Sequence, residues 1–226
     1  MRLRLALSFC LLAVAATAAE LPSYFAAALA RFTSDAPRGW AYTLTTTREG
    51  DTSVERYDPS RPKGGEWTLL ERNGRAATAD EIERYLRYKA SSTPPTARAT
   101  FEKGDLDRST FELVSETATS AVFRGRFRED LKEPLLAHLL LELQIAKADP
   151  AVQSFTMRLT APFTPALGVK MHELEVAMEF SPPSDDRPSL PRASRSRFRG
   201  RLFFFKLIEE DLRIAYSDFT RVVPRR

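Results

Sequence analysis

His138 and His172 are the only histidines in the chain, so few side chains titrate near neutral pH and little acid–base or metal chemistry is open to it. His172-Glu173-Leu174-Glu175 lacks the second histidine of an H-E-x-x-H zinc helix and sits in a segment of strand period. The carboxylate groups Asp185-Asp186 and Glu209-Glu210-Asp211 fall where turns or loops are expected, the ordinary place of solvated acids. The chain has no G-x-S-x-G elbow and no Gly-rich phosphate loop, and its one cysteine, Cys10, lies in an apolar leader. These residues predict a protein that is not an enzyme, takes no cofactor and holds no metal.

The apolar residues offer a different chemistry. Leu139, Leu141, Leu143 and Ile145 alternate along one strand face, Phe155, Met157 and Leu159 along a second, and Leu174, Val176, Met178 and Phe180 along a third. Methionine and phenylalanine together make an adaptable wall for an acyl chain or another apolar ligand without fixed shape. The same stripes would equally pack against helices as a dry core. Arg195, Arg197, Arg199 and Arg201 also stand at steps of two, with Phe198, Leu202 and Phe204 on the other face. Such a ladder is an anion-facing strip for lipid headgroups or an acidic partner, or else a solvated face neutralised by acids on adjacent strands.

These side chains need elements to position them. Leu21, Tyr24, Phe25, Ala28, Leu29 and Phe32 recur at helical steps behind Pro22, and the pattern stops before Pro37-Arg38-Gly39. From Trp40 the period becomes two, and Glu49-Gly50-Asp51 turns the chain into Ser53 to Tyr57. Glu66 to Arg72 is a short strand ended by Asn73-Gly74. Thr78 and Glu81 form a capping box that starts a second helix with Ile82, Tyr85, Leu86 and the stem of Lys89 on its apolar face, broken by Ser91 to Thr96.

Extended segments follow: Thr110 to Ser115, Ala121 to Arg128, Leu135 to Lys147, Val152 to Thr160, Val169 to Phe180, Ala193 to Ile208 and Leu212 to Val223. Turns fall at Asp149-Pro150, Pro162 to Gly168 and Ser181 to Pro191. Two early helices followed by long neighbouring strands predict an α+β fold, a long antiparallel sheet curled into an unclosed β-barrel, or half-barrel, with the helices covering its concave face.

Met1-Arg2-Leu3-Arg4, the apolar run Leu5 to Ala16 and the small-x-small site Ala16-Thr17-Ala18 read as a secretory signal peptide over residues 1–18. The run is too short for the ~20 residues of a spanning helix, so no transmembrane segment is expected. Removing 18 of 226 residues leaves 208, the size of one domain over residues 19–226, with no cysteine for a disulfide. Without Arg2 and Arg4, 32 basic residues face 30 acidic ones, which is too balanced for a nucleic-acid binder.

The order of these elements resembles a known family. The signal peptide, the N-terminal helix, the strand Trp40 to Thr47, the motif Val54-Glu55-Arg56-Tyr57-Asp58-Pro59, the capped helix and the long strands ending in Tyr216-Ser217-Asp218-Phe219 are similar to those of the periplasmic outer-membrane lipoprotein carrier (LolA/LolB-like) superfamily. Phe163 to Met171 looks more like a divergent branch of bacterial secreted proteins. The resemblance implies a periplasmic setting and an unclosed barrel whose hydrophobic cavity accepts acyl chains of a lipid or lipoprotein. The functional expectation is a soluble carrier or sensor. The alternative is a protein–protein interaction module with a filled core.

Overall fold

The computed structural model describes residues 20–34, 36–91, 101–131, 133–203 and 205–222. The expected leader, residues 92–96 of the break after the second helix, Phe204, and Val223 at the end of the last expected strand lie outside them. In chain order the elements are α1 (Ser23–Arg31), β1 (Trp40–Arg48), β2 (Asp51–Tyr57), β3 (Trp67–Arg72), β4 (Arg75–Ala76), α2 (Ala79–Ser91), β5 (Leu106–Glu116), β6 (Ser120–Phe127), β7 (Leu139–Ala146), β8 (Ala151–Leu159), β9 (Phe163–Ala166), β10 (Val169–Ser181), β11 (Leu190–Leu202) and β12 (Lys206–Arg221).

The strands form one antiparallel sheet of 12 in the order β4-β3-β2-β1-β12-β11-β10-β8-β7-β6-β5, with β9 paired to β10 off this path. β4 and β5 lie at opposite ends, so the sheet does not close. The fold is the α+β half-barrel that the alternation of apolar residues predicts. It consists of two meanders, β1 to β4 and β5 to β12, joined where β1 meets β12 with Leu44 opposite Tyr216.

Both helices lie on the same face. Register carries Glu55 to Leu44, Leu44 to Tyr216, and Ile214 through Ser194 to Met178, so the residues under α2 and those under α1 share one side of the sheet. α1 buries Phe25, Ala28 and Leu29 on its apolar stripe. The Phe25 ring sits 4.7 Å from that of Phe123 and 5.2 Å from that of Phe111. Phe111 reaches inward because Gly125 has no side chain: a Cβ there would come within 2.4 Å of the ring.

α2 starts as its capping box requires, with the Thr78 N–H donating to Glu81 Oε2 at 2.9 Å and the Glu81 N–H to Thr78 Oγ1 at 3.4 Å. Its Leu86 is exposed and takes no part in the buried face.

Three expectations are corrected. Ala193 to Ile208 is not one strand, because the chain reverses after Leu202 and β12 already runs from Lys206. Glu209-Glu210-Asp211 therefore lies within β12 rather than in a turn. Part of the expected turn Pro162 to Gly168 forms the short strand β9.

Candidate functional site

Leu141, Met157 and Val176 stand in one row across β7, β8 and β10, and Leu143, Phe155 and Met178 in the next. Leu139 faces Leu159 in the row beyond, and Leu174 lies opposite Phe198 of β11. The structure brings these nine wall residues, together with Ile145 and Phe180 of the same stripes, onto the helix-covered face and into one cluster with Phe25, Ala28 and Leu29 of α1. Leu159 and Leu174 are partly buried and the other seven buried, with Leu141 and Leu143 at 0% exposure. The space in front of the wall is filled by α1 and by Phe101, Phe111, Phe123 and Phe127.

The core borders a cleft at one end of the barrel, where Ala28, Phe32 and Val152 belong to both. A cleft of about 630 Å³ opens between the C-terminal end of α1, the starts of β1 and β8, and the loop joining β10 to β11. Its floor is apolar, made of Ala28, Phe32, Trp40, Ala151 and Val152, and its rim carries Arg31, Arg38, Arg187 and Arg221 with Asp185 and Asp186. Arg31 is held by Asp149 at 2.5 Å. Arg38, Arg187 and Arg221 have no ion-pair partner among the described residues, and neither do Asp185 and Asp186, so the rim sets three unpaired cations beside two unpaired carboxylates. None of the nine wall residues lines the cleft, but Phe32 links the two: its ring lies 5.4 Å from those of Phe180 and 5.5 Å from that of Phe101. Strand parity locates the wall. It gives no sign of the cleft, whose lining comes from loops and element ends.

The arginine ladder points away from the helices. Arg195 meets Asp211 at 2.6 Å and Arg197 the same carboxylate at 3.9 Å, while Arg199 meets Glu173 at 3.2 Å and Glu209 at 2.8 Å. Hydrogen bonding from Arg195, reinforced by Arg213, holds the Asp211 carboxyl down to about 2. The belt continues through Arg158, which bridges Glu175 and Glu142, to Arg124. Three of the four ladder arginines are thus occupied by acids of adjacent strands. Arg201, opposite Lys170 and Leu207, is outside the belt.

A cluster under α2 escapes sequence reasoning because its members are far apart in the chain. Glu55 Oε2 accepts from the Tyr85 hydroxyl at 2.8 Å and pairs with Lys89 Nζ at 3.0 Å, and that ammonium lies 4.2 Å from the centre of the Trp67 ring. Burial, then the Glu55 charge, pushes the Tyr85 phenol far up, so it stays a hydrogen-bond donor. The tyrosine and lysine satisfy the carboxylate, which is a structural arrangement that fixes α2 on the sheet.

The two histidines serve separate surroundings. His138 stacks on Phe163 with centroids 4.2 Å apart, and His172 has a buried Nε2 without a hydrogen-bond partner among the described residues. No group of three or more His, Cys, Asp or Glu able to hold a metal occurs among the described residues. No helix there is long and apolar enough to cross a membrane.

Fold and cleft define a helix-covered antiparallel half-barrel whose apolar core borders, at one end, a cleft with a charged rim. No family model matches the chain, and neither a curated protein nor a solved structure does.

Proposed function

We propose that this is an exported, non-enzymatic protein that binds an apolar ligand, the acyl chain of a lipid or lipoprotein, within its half-barrel and works in the periplasm as a carrier or sensor. The observation that supports this reading is the continuity between the cleft and the core. An acyl chain laid on Ala28, Phe32, Trp40, Ala151 and Val152 and displacing the Phe32 ring would reach the rows headed by Phe155 and Phe180. Each methylene so buried contributes ~0.8 kcal/mol, and Arg38, Arg187 and Arg221 supply cationic partners for an acidic head group.

A second reading, an interaction module with a permanently filled core, draws on the full burial of seven wall residues beneath α1. Native mass spectrometry of protein purified from cells, with organic extraction, separates the two. Co-purified lipid, together with weakened uptake of a fluorescent fatty-acyl probe in Arg38→Glu/Arg221→Glu, is the expected result. An empty protein that takes up no probe would leave only the filled-core module.

A further inference from the structure

The hairpin joining β11 to β12 has a turn of unusual chemistry. Chain reversals favour Gly, Asn, Asp, Pro and Ser, because these tolerate positive φ or bond their own backbone. This one is written Leu202-Phe203-Phe204-Phe205-Lys206. Phe203 adopts φ 48°, the left-handed region that a bulky residue enters only at a cost. Its N–H donates to the Gly168 carbonyl at 2.6 Å, and its ring covers Gly168 so closely that a Cβ there would lie 2.9 Å away. The β11–β12 turn is therefore clamped against the β9–β10 turn, and the two form one apex.

That apex is apolar at its summit. Leu167 is 98% exposed, Phe205 85%, Phe203 57% and Leu207 55%. Around the summit stand Lys170, Arg201 and Lys206, all exposed and none in an ion pair among the described residues. The first acids along either hairpin are Glu173 and Glu209, both engaged by Arg199. An apolar point ringed by charge of one sign matches a bilayer interface, where hydrocarbon lies beneath anionic headgroups.

We propose that the paired turns, through Leu167 on one and Phe203 and Phe205 on the other, form a membrane anchor that inserts into the interface of a bilayer carrying anionic lipid. The anchor is distinct from the proposed ligand cleft. The loop after β10 borders the cleft, whereas the apex caps the opposite end of β11, whose 13 residues span about 40 Å. Docking at the apex thus leaves the cleft facing away from that surface.

Vesicle co-sedimentation tests the anchor. Wild type is expected to sediment with vesicles of equal parts phosphatidylcholine and phosphatidylglycerol, less with phosphatidylcholine alone, and less as salt rises and the Debye length falls from ~10 Å at 0.1 M toward ~3 Å at 1 M. Leu167→Ser/Phe205→Ser, at two exposed positions with little to lose in folding, should weaken partition on the order of tenfold or more. Lys170→Gln/Arg201→Gln/Lys206→Gln should reduce binding to mixed vesicles to the phosphatidylcholine level. The proposal fails if wild type stays in the supernatant with both vesicles, or if either folded variant sediments as wild type does. It also fails if sedimentation velocity shows the apolar apex joining two copies of the chain while vesicles are ignored. Acyl-probe uptake measured in parallel reports on the cleft alone, so either idea can fail without the other.

Discussion

Phe32 and Phe155 meet edge to face, with ring centroids 6.3 Å apart and planes at 86°. One ring belongs to the floor of the cleft and the other to a central strand of the core, so a ligand that moved Phe32 would disturb packing beyond the cleft. Edge-to-face pairs of this kind contribute about 0.5–1.5 kcal/mol beyond their buried area, small enough for an entering acyl chain to offset.

Met157 tests how tightly the wall is filled. It is 1% exposed between Leu141 and Val176, and truncation removes a thioether that nothing nearby replaces. Met157→Ala should lower unfolding free energy by about 2–5 kcal/mol in chemical denaturation. A loss well under that range would mean that the wall already borders empty space.

Asp211 is the hinge of the outer ion-pair belt, because its carboxylate lies within 4.0 Å of Arg195, Arg197 and Arg213 at once. Asp211→Asn leaves three guanidinium groups facing one another. The variant should melt at a lower temperature than wild type, and the gap should narrow as added salt screens the repulsion. A gap independent of salt would show that the carboxylate acts through local hydrogen bonding alone.

Acid sensitivity follows from Glu81, which hydrogen bonds from Arg75 and from the Thr78 amide lower from an ordinary 4.5 to about 2. The folded value lies below the unfolded one, so this stabilisation is present above pH 4.5 and is lost as pH falls through 2. Asp211 shifts in the same direction and adds to the same window. Thermal melts should drop across that interval, and Glu81→Gln should flatten part of the slope, with Asp211→Asn, whose carboxyl moves from 3.8 to about 2, flattening a smaller part. An unchanged slope in both variants would place the acid sensitivity elsewhere.

Local chemistry made several elements readable in advance. Thr78 and Glu81 announce α2 through a capping box, and Asn73-Gly74 announces a hairpin through two positive φ angles, 49° and 77°. Strand parity puts Leu141, Met157 and Val176 on one face because register is unbroken across their row, the shift at Gln144/Ile145 falling nearer the β7–β8 turn. The β11–β12 reversal was hidden because aromatic residues occupy its turn, and period-two alternation runs through Phe198, Leu202 and Phe204 without a breaking residue. The cleft and the Glu55, Tyr85, Lys89 cluster join residues distant in sequence, and no short-range pattern encodes them.

The seam between the two meanders bears on how the chain reaches this state. Every other neighbouring pair on the sheet path joins strands close in sequence, yet β1 waits for β12, the last strand, with Leu44 finding Tyr216 only after everything between has been made. Closing so long a loop costs entropy before any seam contact returns it, which slows folding of such topologies. Until that closure, β1 presents an unpaired edge carrying Thr43, Thr45 and Thr47, open to pairing with another chain. The slow, exposed stage of folding therefore belongs to a strand that ends in the middle of the finished sheet.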